Sequence, residues 1–385
     1  MKKSYLLGII ASAGLAMTSC SSDEATENVA TQGNAIEFGT YLGRDAQTRG
    51  TVMDDDALAN MGVYASYTGQ GAFGSESTPN FMYNQMVTKA GSGWTYNPLK
   101  YWPTTQGDQV SFFAYAPYTK ASNNVIAATS DNAAKDAPTL TVTLPTDLKD
   151  MVDFVADVQL NKAYPGTGDA NTPVTFTLKH ELTRVGMQAC VNQDVFVENN
   201  EHHQTKVVIT DIQLDGIADG QFYKSGVYTF AKNNNGRGTW EGTPSTAAVN
   251  LNSLQTKTQY TSTIATGYNE SGIILEGKTP VSLFTKDQYL FLIPVNGTTG
   301  MAENDKATAT ITYDIVTEDA ALAGGCSITH AVKTVAIPTG TLAQGKAYTL
   351  TFTINVDEVK LSADVASWET VTDKGDVTVD YKDKQ

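Results

Sequence analysis

Residues 307–316, ATATITYDIV, alternate apolar and polar side chains. Ala309, Ile311, Tyr313 and Ile315 share one face at a spacing of two, the period of an extended strand. The facing positions are polar, so the stretch predicts a sheet with one packed face and one wet face. Working outward, similar runs recur: VTFTLKHEL (174–182), VGMQACV (185–191), KVVITDIQLDG (206–216), GVYTF (226–230), YLFLIPV (289–295), HAVKTVAIP (330–338) and AYTLTFTINV (347–356). Residues 231–288 are weakly patterned and predict extended loops. Together these define a strand-rich C-terminal domain over 173–356, preceded by the Gly/Pro/Asn-rich link NKAYPGTGDANT (161–172).

The N-terminal part, 35–172, has the same character. GVYASYT (62–68), FMYNQMVTK (81–89), GWTYN (93–97), KYWP (100–103), VSFFAYAP (110–117), LTVTLP (140–145) and DFVADVQL (153–160) are period-two or fully apolar runs broken by turn residues. Trp94, Tyr101, Trp102, Phe112, Phe113 and Tyr115 are its expected core; an aromatic sugar platform is the minor alternative. Only Asp54–Met61 suggests a helix, with Asp54 to Asp56 as cap and first-turn acids. Short strands at this spacing predict an all-β chain with two β-sandwich domains in tandem. About 365 mature residues also exceed what one hydrophobic core usually covers.

Ahead of these domains, Met1 to Ser19 read as a signal peptide, with Lys2 and Lys3 before an apolar core too short to span a bilayer. Met17-Thr18-Ser19-Cys20 has the form of a bacterial lipobox, a small residue before a Cys that is acylated and becomes the first mature residue. Residues 20–34 then form a polar tether with little to bury. Asp23 and Glu24 resemble the acidic signal that sends some lipoproteins to the outer surface, so the expected address is the outer membrane, facing out. Without Lys2 and Lys3 the net charge moves from −15 to −17, a sign that disfavours nucleic acid as partner.

Residues 35–50, AIEFGTYLGRDAQTRG, begin as a strand over 35–42, with Ile36 and Phe38 on the inner face. They continue as a polar loop, 43–50, containing Arg44 and Arg49. The plain reading is a first strand and a solvated loop. The other is an edge strand that can be cut away on cue, leaving a groove for another strand.

Chemistry-bearing constellations are scarce. Gly69 to Gly74 spell G-x-G-x-x-G, but Pro79 blocks the helix that this fingerprint needs behind it. His202-His203 beside Glu201 lack the convergent ligands of a metal site, and the Asp215-Gly216 and Asp219-Gly220 pairs read as turns. His180 and Glu181 end a strand pattern and read as packed structural residues. Cys190 and Cys326 read as separate buried thiols more readily than as a disulfide. No metal or organic cofactor is expected, and no catalytic residues are assigned.

Taken together, the lipobox at Cys20, IEFGT…TRG (36–50), GVYASYT, LKYWPTTQGDQVSFFAYAPY (99–118), DFVADVQL, FTLKHELTRVGMQ (176–188) and GKAYTLTFTINV…ASW (345–368) resemble the fimbrillin-like family, the subunits of type V pili. The resemblance covers nearly the whole mature chain. It implies a lipoprotein precursor with two transthyretin-like β-sandwiches. It also implies that an arginine-specific protease removes the first strand, cutting between Arg49 and Gly50 with Arg44 in reserve. A strand from a neighbouring pilin subunit then fills the groove. The expected donor is the C-terminal segment, 357–385, with Val359, Leu361 and Val365 facing in, or the final VTVDY of a charged, unpacked-looking tail. An uncleaved surface lipoprotein, acting as an adhesin for host protein or glycan or as a pilus anchor or tip, is the alternative. A carbohydrate-active enzyme is the remote one.

Overall fold

The computed structural model describes residues 34–42, 58–118, 125–128, 131–145, 148–164, 172–192, 205–215, 222–245, 249–250, 257–285, 288–294, 308–337, 343–355, 359–367 and 377–379. Cys20, Arg44, Arg49, Gly50 and the His202-His203 pair lie outside them, as does the first half, 54–57, of the helix expected over Asp54–Met61. Asn60 and Met61, at the end of that stretch, are already strand.

The chain is all-β. In order it forms β1 (Phe38–Leu42), β2 (Asn60–Gly69), β3 (Met82–Ala90), β4 (Gly93–Thr95), β5 (Gln109–Ala116), β6 (Val125–Ala128), β7 (Thr139–Thr143) and β8 (Val155–Ala163). Next come β9 (Val174–His180), β10 (Thr183–Val191), β11 (Thr205–Asp215), β12 (Phe222–Thr229), β13 (Thr239–Ser245), β14 (Val249–Asn250), β15 (Thr258–Gln259) and β16 (Ser271–Leu275). The last are β17 (Val281–Ser282), β18 (Leu290–Leu292), β19 (Thr308–Glu318), β20 (Cys326–Ala336), β21 (Lys346–Ile354), β22 (Val359–Ser367) and β23 (Val377–Val379). The stretch expected to be extended loop, 231–288, therefore contributes five strands among its described residues. Four are short, which is why period-two patterning was too brief to read there.

Seven strands form the first sheet in the order β1-β9-β8-β5-β2-β3-β4, and its two end strands, β1 and β4, come round to approach each other. Both faces of this sheet are buried. From β5, Phe113 and Tyr115 enter one core while Val110, Phe112, Ala114 and Ala116 enter the other. That explains the uninterrupted apolar run VSFFAYAP. Gly62 on β2 belongs to the same packing: a Cβ there would lie 2.2 Å from the Tyr115 ring.

Strands are shared across the boundary drawn at residue 172. β9, just beyond it, pairs with β1 and β8, and β12 pairs with β7 in the sheet β13-β12-β7-β6. One core runs from Phe113, Phe154 and Tyr228 to Val207, Tyr313 and Phe352. The remaining sheets are β17-β10-β21-β22-β23, with β18 also on β10, and β15-β16-β11-β19-β20, with β14 also on β11.

Three local expectations change. On β19, Ala309, Ile311 and Tyr313 are buried as read, but Ile315 is half-buried and Asp314, Val316 and Glu318 are buried on the opposite face. That face is covered at one end: Tyr268 Oη donates to Asp314 at 2.7 Å and Tyr260 Oη to Glu318 at 3.0 Å. Tyr101 is exposed, because it alternates with Trp102, which takes the core position. The segment 359–367 is packed as β22, bonded to β21 along its whole length, with Val359, Leu361 and Val365 against the core. Its period-two apolar face, read in the sequence as Val359, Leu361 and Val365, packs within the chain's own sheet. Cys190 and Cys326 are both free thiols, Cys190 buried as expected and Cys326 only half-buried.

Candidate functional site: the seat of the first strand

Among the described residues β1 lies at one end of the first sheet and pairs with one neighbour, β9, in parallel from Phe38↔Val174 to Leu42↔Leu178. Its side chains alternate as the sequence predicted. Ile36, Phe38 and Leu42 are buried, while Glu37 and Tyr41 are exposed. Phe38 is the centre of the seat, with ring centroids 5.4 Å from Tyr96, 5.9 Å from Phe112 and 5.8 Å from Phe176. All of these belong to a core built almost entirely from the first sheet and the 96–102 segment, so β1 closes a core that the sheet otherwise encloses by itself.

The N-terminal end of β1 is held by the 96–102 segment. Ile36 N–H donates to the Lys100 carbonyl at 2.8 Å, Trp102 N–H to the Asn34 carbonyl at 2.9 Å, and Tyr96 Oη to the Ile36 carbonyl at 2.8 Å. Burial pushes the Tyr96 phenol up to about 12, opposed by the bond from Lys100 N–H and reinforced by Tyr101 and Glu37. It therefore stays a donor across the physiological range. Sequence reasoning missed Tyr96: its role depends on a partner that is close only in the fold.

β9 needs its own support, because its ladder to β8 covers only Val155↔His180 and Ala156↔Lys179. Where the ladder stops, the Asp157 side chain accepts the Thr177 N–H at 2.9 Å and Gln159 Nε2 at 3.0 Å. Burial raises the Asp157 carboxyl above the ordinary carboxylate range, with the Gln159 bond, backbone N–H groups and Lys179 pulling it back. A carboxyl raised in the folded state contributes most stability below its unfolded pKa and loses it as pH rises through the folded value. Asp157→Asn is expected to remove that fall, so the change in urea midpoint from about pH 4 to about pH 7 should be more favourable to pH 7 in the variant than in the parent. An unchanged difference between the two midpoints would mean that Asp157 does not contribute to the slope.

Beside β1 lies a cleft of about 730 Å³, lined chiefly by Ala35 to Gly39, Trp94 to Tyr96 and Leu99. Among the described residues no three His, Cys, Asp or Glu side chains converge to hold a metal ion. The site is a strand seat built from backbone edges and apolar slots.

A family model described as fimbrillin-like matches residues 48–368. The chain belongs to the fimbrillin-like family. A "Fimbrium subunit Fim1C" from Phocaeicola vulgatus is 30% identical to this fimbrillin-like chain over 387 aligned positions, covering 94% of the chain and 95% of the relative. The crystal structure of a fimbrial protein from Bacteroides vulgatus superposes with a TM-score of 0.70 at 24% identity, covering 87% of this chain and 99% of that one. At that identity the likeness speaks to fold: the solved protein shares the architecture of this fimbrillin-like chain.

Proposed function

We propose that the protein is a structural subunit of a surface fimbria that assembles by strand exchange. It is exported as a precursor acylated on Cys20 and held at the outer membrane. An arginine-specific protease cuts between Arg49 and Gly50, with Arg44 as the secondary position. β1 leaves, and an extended segment of another pilin takes its place, offering main-chain hydrogen bonds to the sheet edge and alternate side chains to the slots. The donor is the segment carrying Val359, Leu361 and Val365, released from its own sheet. Host protein or glycan would then meet the assembled fibre, and the role needs no catalytic site.

The observation that carries this reading is the position of β1: a terminal strand on one ladder, closing a core with three buried side chains. Family membership and the relative named a fimbrium subunit support it. Cutting the loop would leave β1 held by that ladder, by the bonds of Asn34 and Ile36 to the 96–102 segment and by burial worth roughly 1.5–3 kcal/mol for each large side chain. Such a strand is exchangeable rather than lost at once.

N-terminal sequencing of subunits sheared from the cell surface tests the proposal. A start at Gly50 is the expected result, and a start at Asp45 moves the cut to Arg44. Acylated Cys20 at the N-terminus of assembled fibres would refute the scheme and favour an uncleaved lipoprotein adhesin.

A further inference from the structure

We infer that the cleft beside β1 is where the replacing strand enters, engaging β4 and Leu99 of the receiving subunit before β1 departs. This rests on the strand-exchange reading above. The occupant is the β22 segment of a second copy of this chain.

The backbone directions carry the argument. Val174 N–H donates to the Glu37 carbonyl, so the peptide groups of Glu37 turn toward β9. In a parallel ladder those of the alternate residues turn away. Ile36 shows this directly: its N–H meets the Lys100 carbonyl and its own carbonyl meets Tyr96 Oη. The peptide groups of Phe38 and Thr40 point the same way, and among the described residues nothing bonds them. Across the cleft, Lys89 on β3 sends its N–H to the Ala59 carbonyl, away from β4. Its cross-strand neighbour Trp94 therefore belongs to a non-bonded pair, and its N–H and C=O face outward. The two ends of the first sheet thus turn the peptide groups of Phe38, Thr40 and Trp94 outward, unbonded among the described residues. Unpaired edges are templates for an added strand.

The apolar surface points to the same place. Trp94 is half-buried and Leu99 is 45% exposed, both at the cleft. On β1 and the residues leading into it the alternate positions are Ile36, Phe38, Thr40 and Leu42; on β22 they are Val359, Leu361, Ala363 and Val365. The count matches, but the β22 side chains are smaller. Refilling the seat alone would bury less apolar surface than β1 does. A β22 segment prevails only by covering surface that β1 leaves open, and Trp94 and Leu99 supply it.

The test uses the full-length chain nicked in the 43–50 loop by an arginine-specific protease, with polymer growth and release of the N-terminal fragment followed over time. Leu99→Asp is the variant, since Leu99 is exposed enough to change without unfolding the subunit; a thermal melt confirms this. We expect polymer growth and fragment release to slow by about tenfold or more, with an unchanged melt. Leu99→Met should restore the parent rate. If the parent polymerises and Leu99→Asp keeps pace within about twofold, entry lies elsewhere and the inference is overturned. If the nicked parent itself neither releases the fragment nor polymerises, the strand-exchange reading falls, and this inference with it.

Discussion

Phe38→Ala is expected to lower the unfolding free energy of the full-length chain by about 3–5 kcal/mol, read as a drop in urea midpoint at unchanged slope. Phe38 is 4% exposed and its ring contacts three others, from the 96–102 segment, β5 and β9. Truncating it removes the transfer free energy of a benzyl group and leaves a void that three rings from three elements cannot all move to fill. Tyr41→Ala, on the exposed face of the same strand, should fall within about 0.5 kcal/mol of the parent. A Phe38→Ala loss below about 1 kcal/mol would mean that β1 is only loosely seated, and the need for a cut to free it would disappear. The size of this effect also bounds the assembly step: a replacing strand must recover most of what Phe38 contributes.

How far the seat could be read from sequence is clear at β1 itself. Ile36, Phe38 and the polar positions between them announce a strand and its buried face, because a period of two is a local property of the chain. The partner is not local. β1 pairs with β9, more than a hundred residues away, and nothing in either segment specifies a parallel ladder between them. The same limit explains β19. Its alternation is correctly a strand, yet the covering of its second face by Tyr260 and Tyr268 comes from a stretch with no strong pattern of its own. The family resemblance contributed where periodicity could not, by linking weak stretches across the chain. The Asp157 support of β9 was legible in neither way, since a single carboxylate in an apolar run is a signal only once its donors are known.

Asp153→Ala is the second large effect expected, a loss of about 3–5 kcal/mol with the chain still unfolding in one transition. Asp153 lies just before β8 and meets His180 Nδ1 at 2.5 Å, their side chains 0% and 3% exposed. The chain crosses here from β9 in the first sheet to β10 in the next, and the crossing is pinned from several directions. Arg237 donates to the His180 carbonyl at 2.6 Å, Trp240 Nε1 to the Glu181 carbonyl at 2.8 Å, and Gln344 to the Glu181 carboxylate. Glu181 N–H reaches the Phe154 carbonyl, and Gly345 N–H reaches that of Leu182. Removing one member of a buried polar pair strands the other without water, and that costs far more than the pair contributes when intact. Asp153→Asn keeps an acceptor for the imidazole and should cost clearly less than Asp153→Ala, which separates lost hydrogen bonding from lost charge. Because groups from both halves of the sequence converge on this crossing, the damage should lower the stability of both sheets together. Two separate transitions in Asp153→Ala, only one of them shifted, would show instead that the halves unfold independently and that the crossing is a tether rather than a joint.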